Sequence, residues 1–382
     1  MNIADFNKCS NCGACYNICP KGAISVNSAG VFYDPKVNPE LCVECGLCAK
    51  VCPVNTHFEK KVPIYACAGW HNDEKIVLNS SSGGMFWGLA QQIISEGGVV
   101  FGAVYSDDCK TVEFASSDDV PLYKMQKSKY VESTIGNAFR KIKREIEAGR
   151  KVLFCGTPCQ AAGIAQFLGK SYDNLIICDF ACGGLPSHQM YQKHLNGLEK
   201  KYRSEVQAVD FRPKTHGWKR YAIRIDFKNG KVYNRLGIED DYLKSFLNGR
   251  YSVRDYCLEC KFSDCHTADI TIADFWRHDK LSALQNKDGI SLILCNSEKG
   301  MRTIESLGNQ FLFSKLDVEK AAYNYKKTDT SDIKLKKHAD FLALYQETDL
   351  QTASRRFVPI SFAKKIRYCI VRTICRRRKD SK

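Results

Sequence analysis

The chain has 382 residues, of which 44% are hydrophobic and 26% are charged, and its formal net charge is +15. This length exceeds that of a usual single domain, and the ordinary composition excludes a fibrous or wholly disordered protein. There is no apolar signal segment and no run long enough to span a bilayer. The 20 cysteines are therefore expected to bind metal in a reducing cytoplasm rather than to form disulfides.

Residues 1–56 are predicted to form an α+β ferredoxin-like module, because the run Cys-x2-Cys-x2-Cys-x3-Cys-Pro occurs twice in them. The two runs are Cys9, Cys12, Cys15, Cys19 and Cys42, Cys45, Cys48, Cys52. Three closely spaced thiolates can bind three corners of a 4Fe-4S cluster, while the cysteine before proline reaches the other cluster. The spacing thus predicts one cluster on Cys9, Cys12, Cys15 and Cys52, and a second on Cys42, Cys45, Cys48 and Cys19. Zinc is the alternative for Cys-x2-Cys pairs, but the duplicated run favours iron-sulfur clusters.

Residues 57–330 are predicted to form a larger α/β domain with a mixed sheet. The pattern predicts strands at 97–105, 151–155 and 174–178, helices at 84–96 and 134–148, and an antiparallel hairpin set at 206–235. Strands that each run into a turn and a helix indicate a largely parallel sheet in the first part of this domain.

Three segments of this domain carry residues suited to a ligand site. Ser82, Gly83 and Gly84 open a predicted helix whose free N–H groups attract phosphate, although serine is also a common helix N-cap. Thr157-Pro158 follows a strand at the carboxyl edge of the sheet, where α/β proteins hold ligands. The run Cys257-x2-Cys260-x4-Cys265 is a weaker metal signal than the N-terminal repeat.

In this order, these segments resemble the coenzyme F420 hydrogenase/dehydrogenase beta-subunit family over residues 62–280. The matching stretches are residues 81–84, 127–131, 156–160, 181–187, 217–218, 257–260 and 268–276. The resemblance implies a flavin, usually FAD, in the α/β domain and a third 4Fe-4S cluster beside it. By the same resemblance, the flavin region contains Ser82, Gly83, Gly84, Lys129, Tyr130, Thr157 and Pro158. The third cluster is then expected on Cys159, Cys182, Cys257 and Cys260, with Cys265 in reserve.

Two adjacent clusters suit a relay of single electrons, and a flavin commonly links one-electron centres to two-electron carriers. We therefore expect an iron-sulfur flavoprotein oxidoreductase that acts on a two-electron carrier or an organic substrate. The alternative is a non-catalytic electron-transfer subunit that serves a partner enzyme. Expected partners are a redox protein or soluble electron donor and a small-molecule substrate, with no specific nucleic acid. His188, His216 and His266 are candidate proton donors, and Arg212, Lys214, Lys219 and Arg220 are candidate anion-binding residues.

Residues 331–382 are predicted to be helical and to end in a basic tail. From 362 to 382 there are nine Lys or Arg residues and one Asp, a net charge of +8, which leaves +7 for the rest of the chain. Phe362, Ile366, Ile370 and Ile374 recur every four residues, as in an amphipathic helix. Such a helix suits an anionic membrane surface or an acidic partner, and the alternative is a solvated helix packed on its own domain. The protein is therefore expected to be cytoplasmic, with a peripheral position at the inner face of the membrane as one option.

Overall fold

The computed structural model describes residues 8–58, 62–263, 266–276, 285–322 and 332–360. The N-terminal module contains α1 (Ala14–Ile18), β1 (Ile24–Asn27), β2 (Asp34–Val37) and α2 (Leu47–Lys50), with β1 and β2 paired antiparallel. Each helix follows a glycine in the left-handed region, Gly13 with φ 82° before α1 and Gly46 with φ 72° before α2. The two halves of the cysteine repeat therefore start their helices in the same way, as only glycine does readily.

The body of the protein is built on two sheets. Its remaining strands are β3 (Tyr65–His71), β4 (Val99–Tyr105), β5 (Val112–Ser116), β6 (Val152–Gly156), β7 (Leu175–Phe180), β8 (Val206–Asp210), β9 (Ala222–Phe227), β10 (Val232–Leu236), β11 (Ile270–Asp274), β12 (Ser291–Cys295) and β13 (Phe311–Lys315). The larger sheet has eight strands in the order β13-β3-β12-β11-β7-β6-β4-β5, and β10-β9-β8 form the smaller one. The smaller sheet is antiparallel, which confirms the predicted hairpin set.

The larger sheet is mixed, as the predicted fold class requires, but it is not largely parallel. Strands β4, β6, β7 and β11 pair in parallel. Strand β5 pairs antiparallel with β4, and β12, β3 and β13 extend the sheet beyond β11 by antiparallel pairing. Antiparallel pairs need no helical crossover, so the alternation of strands and helices along the chain does not reveal them.

Helices cover both faces of the larger sheet. In the body they are α3 (Glu74–Leu78), α4 (Met85–Ser95), α5 (Ala138–Glu147), α6 (Pro158–Leu168), α7 (His188–Tyr202), α8 (Asp241–Leu247), α9 (Asp255–Leu258), α10 (Glu298–Glu305), α11 (Val318–Ala322), α12 (Asp332–Glu347) and α13 (Leu350–Phe357). Val152 on β6 packs in one core cluster with residues of α5 and α6, and its neighbour Leu153 packs in another with residues of α4 and α10. Successive strand residues face opposite sides, so the sheet is buried on both.

Helices α4 and α5 confirm the two helices predicted around them, although α5 starts at Ala138 because Ile135 belongs to the turn that receives the module. The predicted basic tail, with Phe362, Ile366, Ile370 and Ile374, lies outside the described residues. In the part of the chain that the structure describes, no helix is both long and apolar enough to cross a membrane.

The N-terminal module is packed against α5 and α6 through very close contacts. A Cβ atom on Gly13 would lie 2.7 Å from Ile135, and one on Gly163 of α6 would lie 3.0 Å from Cys12. Arg140 of α5 donates hydrogen bonds to the carbonyl oxygens of Tyr16, Asn17 and Cys19, at 3.0, 2.6 and 2.8 Å. The first cysteine run is therefore held directly against the α/β body.

Candidate metal centres and cofactor site

The structure brings together the two cysteine sets that the repeat assigns to two clusters. Cys9, Cys12, Cys15 and Cys52 line one cavity. Cys19, Cys42, Cys45 and Cys48 line a second cavity. Each cavity thus takes three cysteines from one run and the cysteine before proline from the other.

The first set is the more buried of the two. Cys12 is buried and Cys45 of the second set is exposed. Burial raises the pKa of the Cys12 thiol to about 12, so this thiolate needs the positive charge of a bound metal. Backbone N–H groups donate to sulfur in both sets, from Asn11 to Cys9 at 3.2 Å and from Ala23 to Cys19 at 3.3 Å. Such bonds stabilise charge on cluster sulfurs and tune their reduction potential.

Each cavity offers four cysteine thiolates, the number that a 4Fe-4S cluster requires. A zinc ion also takes four cysteines. In a cubane the four thiolates bind four different irons, and the repeated run, which divides its ligands between the two cavities, is typical of proteins with two such clusters.

The structure also brings together the four cysteines that the family resemblance implies for a third cluster. Cys159 is in the first turn of α6, Cys182 follows β7, Cys257 is in α9 and Cys260 comes just after it. They lie near enough to one another for the charge on one to raise the pKa of the next, although burial is the larger cause for Cys159, Cys182 and Cys257. The pKa of Cys182 is raised to about 11.

The local backbone around this third set is arranged for sulfur ligands. The N–H groups of Gly184 and Leu185 point to the sulfurs of Cys182 and Cys257, at 3.4 and 3.3 Å. Gly184 has φ +117°, and a Cβ there would lie 2.8 Å from Val253, so this close turn requires glycine. Cys265 is outside the described residues.

Thr157 and Pro158, predicted as flavin contacts, lie at the third cysteine set. The Thr157 hydroxyl is 3.1 Å from the sulfur of Cys159. The backbone N–H of Thr157 donates to Oε1 of Gln160 at 2.9 Å. Thr157 is the N-cap of α6 and Pro158 is its first residue; both are buried. Thr157 and Pro158 thus support Cys159, a predicted ligand, at the start of the helix.

The third set lies next to the first N-terminal set. The sulfur of Cys159 is 3.5 Å from the carbonyl oxygen of Ser10, between the ligands Cys9 and Cys12. Tyr256, beside Cys257, interacts electrostatically with Cys260, Cys159 and Cys52 of the first set. The cysteine sets therefore follow one another from the second, which contains the exposed Cys45, through the first, to the third, which contains the buried Cys159 and Cys257.

Ser82, Gly83 and Gly84 pack between strands rather than around an open space. The Ser82 hydroxyl donates to the carbonyl oxygen of Ile290 at 2.7 Å, and the Gly83 N–H donates to the Ser291 hydroxyl at 3.0 Å. A Cβ on Gly83 would lie 2.4 Å from the carbonyl oxygen of Gly69. Close backbone packing therefore explains this glycine. The segment does start helix α4, but its N-cap is Gly84, without a side-chain cap, so the serines do not cap the helix.

A group of cationic and aromatic side chains, the Arg212 cluster, lies at the carboxyl end of β11. Its members are Arg212, Lys214, Trp218, Tyr221, Asp274 and Trp276. The Arg212 guanidinium donates to Asp274 at 2.6 Å and to the Tyr130 hydroxyl at 3.3 Å. It lies 4.5 Å from the centre of the Tyr221 ring and 5.5 Å from that of Trp276. Trp218 stacks on Trp276 at 4.9 Å, and Trp276 remains 39% exposed.

Lys214 of this cluster and Lys129, the neighbour of Tyr130 in sequence, have lowered pKa values. Burial lowers the pKa of Lys214 to about 8, and its ammonium donates to the carbonyl oxygens of Val77 and of Ser82, the latter at 3.1 Å. Burial also lowers the pKa of Lys129 to about 7, and its ammonium donates to the Gln126 carbonyl oxygen at 2.9 Å. Cations beside aromatic faces suit a planar ligand with a negative charge.

Sequence reasoning named Arg212 and Lys214 but missed Tyr221 and the ion pair with Asp274, because only the fold brings β11 to this segment. Lys219 and Arg220 are exposed. The candidate proton donors are all buried: His188 contacts Glu132 at 3.3 Å, His266 contacts Asp179 at 2.8 Å, and His216 follows Lys214 in a short turn.

Comparison with known proteins agrees with the cysteine repeat and the resemblance. Residues 149–321 match the family described as the C terminus of the beta subunit of coenzyme F420 hydrogenase/dehydrogenase, and residues 8–56 match the 4Fe-4S dicluster domain. The coenzyme F420-dependent sulfite reductase of Methanocaldococcus jannaschii is 25% identical over 309 residues, which are 78% of this chain and 46% of that protein. The chain thus spans about half the length of this curated relative.

Among the solved structures that align with this chain is the xenon-derivatised F420-reducing NiFe hydrogenase complex from Methanosarcina barkeri. Its TM-score is 0.46 at 15% identity, and the alignment covers 75% of this chain and 94% of the chain it matches.

Proposed function

We propose that this chain is an iron-sulfur flavoprotein oxidoreductase of the coenzyme F420 hydrogenase/dehydrogenase beta-subunit family. Residues 149–321 match the C-terminal part of that subunit, and residues 8–56 match a 4Fe-4S dicluster domain. The protein exchanges electrons between a redox partner and a two-electron carrier or organic substrate. When bound, the clusters supply one-electron transfer, and FAD supplies the exchange between one-electron and two-electron steps.

The observation that carries this proposal is the third cysteine set beside the first. Cys159, Cys182, Cys257 and Cys260 come from separate segments of the family domain and interact with one another. Cys159 contacts the backbone between Cys9 and Cys12. A ferredoxin module attached for another purpose would not need a buried cysteine set at its contact with the body.

The exposure of the cysteines differs between the two ends of the proposed relay. Cys45 is exposed, which suits the exchange of electrons with a partner protein at this end of the molecule. Cys159 and Cys257 are buried, and the low polarity around them excludes water from the inner end. The N–H groups of Gly184 and Leu185 donate to the sulfurs of Cys182 and Cys257 and help to hold them in place.

The Arg212 cluster is the proposed place for the organic cofactor or substrate. Arg212 is held by Asp274 and Tyr130, so its charge is fixed in direction before a ligand arrives. Lys214 adds a second cation, and Trp276 offers an exposed ring for stacking. Since a curated relative is named for coenzyme F420, a deazaflavin is the two-electron carrier to test first.

The experiment is anaerobic purification followed by release and identification of any bound flavin. The protein is then mixed with reduced coenzyme F420, reduced FAD or a reduced ferredoxin, and cluster bleaching is followed by absorbance. The proposal expects bound FAD and bleaching by a two-electron donor. Trp276→Ala should weaken flavin binding, whereas Tyr123→Ala, at another exposed aromatic residue, should not.

The alternative, a non-catalytic electron-transfer subunit, gives a different result. In that case no flavin is released, and only a one-electron protein donor bleaches the clusters. This outcome would contradict the enzyme proposal and leave the iron-sulfur relay in place.

A further inference from the structure

Arg254 lies at the junction between the first N-terminal cysteine set and the third. It is the N-cap of α9, which carries Cys257, and its carbonyl oxygen accepts a hydrogen bond from the Cys257 N–H at 2.9 Å. Its side chain reaches the opposite way and donates from Nε to the carbonyl oxygen of Cys9 at 3.0 Å. One residue therefore connects the backbones of two predicted cluster ligands, one from each set.

The guanidinium is buried and is paired with carboxylates. Arg254 is 5% exposed, and it donates to Glu132 at 2.7 Å, to Asp34 at 2.6 Å and to the Tyr33 carbonyl oxygen at 2.5 Å. A buried cation with this many partners is costly to desolvate. A requirement for stability alone would be met as well by apolar packing, so the charge needs another explanation.

Glu132 is the buried counterion, and its carboxylate is also fully paired. It is 0% exposed and accepts hydrogen bonds from Asn11 at 3.2 Å and from the Tyr33 N–H at 2.9 Å, with His188 at 3.3 Å. The ion pair is thus fixed on both sides, by the module and by the body. Neither charge can turn away from the clusters when the redox state changes.

The two charges act on the neighbouring sulfurs in opposite directions. The Arg254 guanidinium donates to the carbonyl oxygen of Cys9, and the Arg254 carbonyl oxygen accepts from the N–H of Cys257. The Glu132 carboxylate accepts from Asn11, which lies between Cys9 and Cys12. Reduction adds a negative charge to a cluster, so a cation beside it favours the reduced state and an anion disfavours it.

We propose that Arg254 and Glu132 are positioning residues that set the reduction potentials of the first N-terminal cluster and the third, with Arg254 raising and Glu132 lowering them. This inference rests on the proposed function, because it requires clusters at both cysteine sets. The second N-terminal set lacks such a pair among the residues that line its cavity, where Lys21 and Glu44 are exposed. Its potential is therefore set by solvent and backbone donors instead.

The test is an anaerobic redox titration of the full chain, with each cluster followed by its EPR signal. Arg254→Gln should make reduction of the first and third clusters about tenfold less favourable, a shift of about 59 mV for one electron. Glu132→Gln should shift both potentials in the opposite direction. The second cluster, on Cys19, Cys42, Cys45 and Cys48, is the internal control and should not change.

Two further variants separate charge from fit. Arg254→Lys keeps the positive charge but loses the planar, forked donor geometry of the guanidinium. Its cluster potentials should therefore stay nearer to those of the natural protein than the potentials of Arg254→Gln. The double variant Arg254→Gln/Glu132→Gln removes both charges and should return the potentials toward their original values. If Arg254→Gln fails to fold, Glu132→Gln still decides the sign of the charge effect.

Iron content distinguishes a failure of the proposed function from a failure of the role proposed for Arg254 and Glu132. About 8 irons in the unaltered chain would mean that the third cluster is absent and that the proposed function fails. About 12 irons, with potentials that do not move in any variant or that move equally in all three clusters, would overturn the role of Arg254 and Glu132 and leave the relay intact.

Discussion

The N-terminal module and the third cysteine set offer the same type of ligand, cysteine thiolates, but are built in different ways. The module places eight cysteines within residues 9–52, and its outer end is exposed at Cys45. The third set draws Cys159, Cys182, Cys257 and Cys260 from segments that only the fold brings together. When the ligands come from one short repeat, the loss of a cluster should disturb only that part of the chain. When they come from separate segments, the loss should also disturb the packing of those segments at the edge of the sheet.

The strongest way to break this comparison is to remove one ligand from the dispersed site. Cys260→Ala should lower iron by about 4 per chain and should also weaken the contact between the module and the body. Cys295→Ala is the control, because Cys295 is fully buried in β12 and has no predicted cluster. Iron analysis and protease sensitivity measure both effects, and equal iron in the two variants would count against the third cluster.

Within the module, the two ends are expected to respond differently. Cys12→Ala and Cys45→Ala should each remove about 4 irons. Cys12 also packs against Gly163 of α6, so its loss should expose the interface, whereas the loss at exposed Cys45 should stay local. Hydrogen exchange of α6 distinguishes them; identical protection in both variants would show that the inner cluster does not support the docking.

A pair of glycines tests the docking without touching a ligand. Gly13→Ala should lower stability by about 2–4 kcal/mol, since the residue has positive φ and its new Cβ would meet Ile135. Gly22→Ala, also at positive φ, has nothing within 4 Å of the Cβ position and should cost only about 1–2 kcal/mol. The measurement is the thermal midpoint of cluster bleaching. Equal midpoints would mean that the contact with Ile135 is not tight in solution.

Sequence reasoning predicted the module in more detail than the rest because its ligands recur at short, fixed spacing. It also predicted α5 and the hairpin set from their apolar periodicity, and α4 from the serines and glycines at its start. It did not predict the pair of Arg254 and Glu132, which are 122 residues apart, or the antiparallel strands β3, β12 and β13. These depend on which distant segments meet, and no local pattern encodes that.

The segment containing Ser82 and Gly83 shows a second limit of sequence reasoning. Its glycines and serines suit both phosphate binding and close packing, and the strands around it use these groups for packing. Conversely, Arg212 and Asp274 are ordinary charged residues in the sequence and become a candidate ligand site only once β11 places them together.

The smallest expected effect is a pH dependence at the Arg212 cluster. The pKa of Lys214 is lowered by burial to about 8, so its charge is present below that pH and is lost as the pH rises through it. Binding of FMN or FAD, whose phosphates are anionic, should weaken by roughly tenfold between pH 7 and 9. In Lys214→Arg the charge persists, and the dependence should disappear.

The same lowered pKa has an opposite consequence for stability. A lysine whose pKa is lower in the folded state is penalised while it is charged, so this penalty is relieved as the pH rises from about 8 toward its ordinary value. Flavin binding and stability should therefore change in opposite directions over this range. A parallel change in both would show that Lys214 does not contact the ligand.

The most direct test of the central claim is the iron and sulfide content of the unaltered chain after anaerobic reconstitution. Three cysteine sets that each hold a 4Fe-4S cluster predict about 12 irons and about 12 sulfides per chain. A value that stays at about 8 would contradict the account, because the module would then be complete and the cysteines at Cys159, Cys182, Cys257 and Cys260 would hold no cluster.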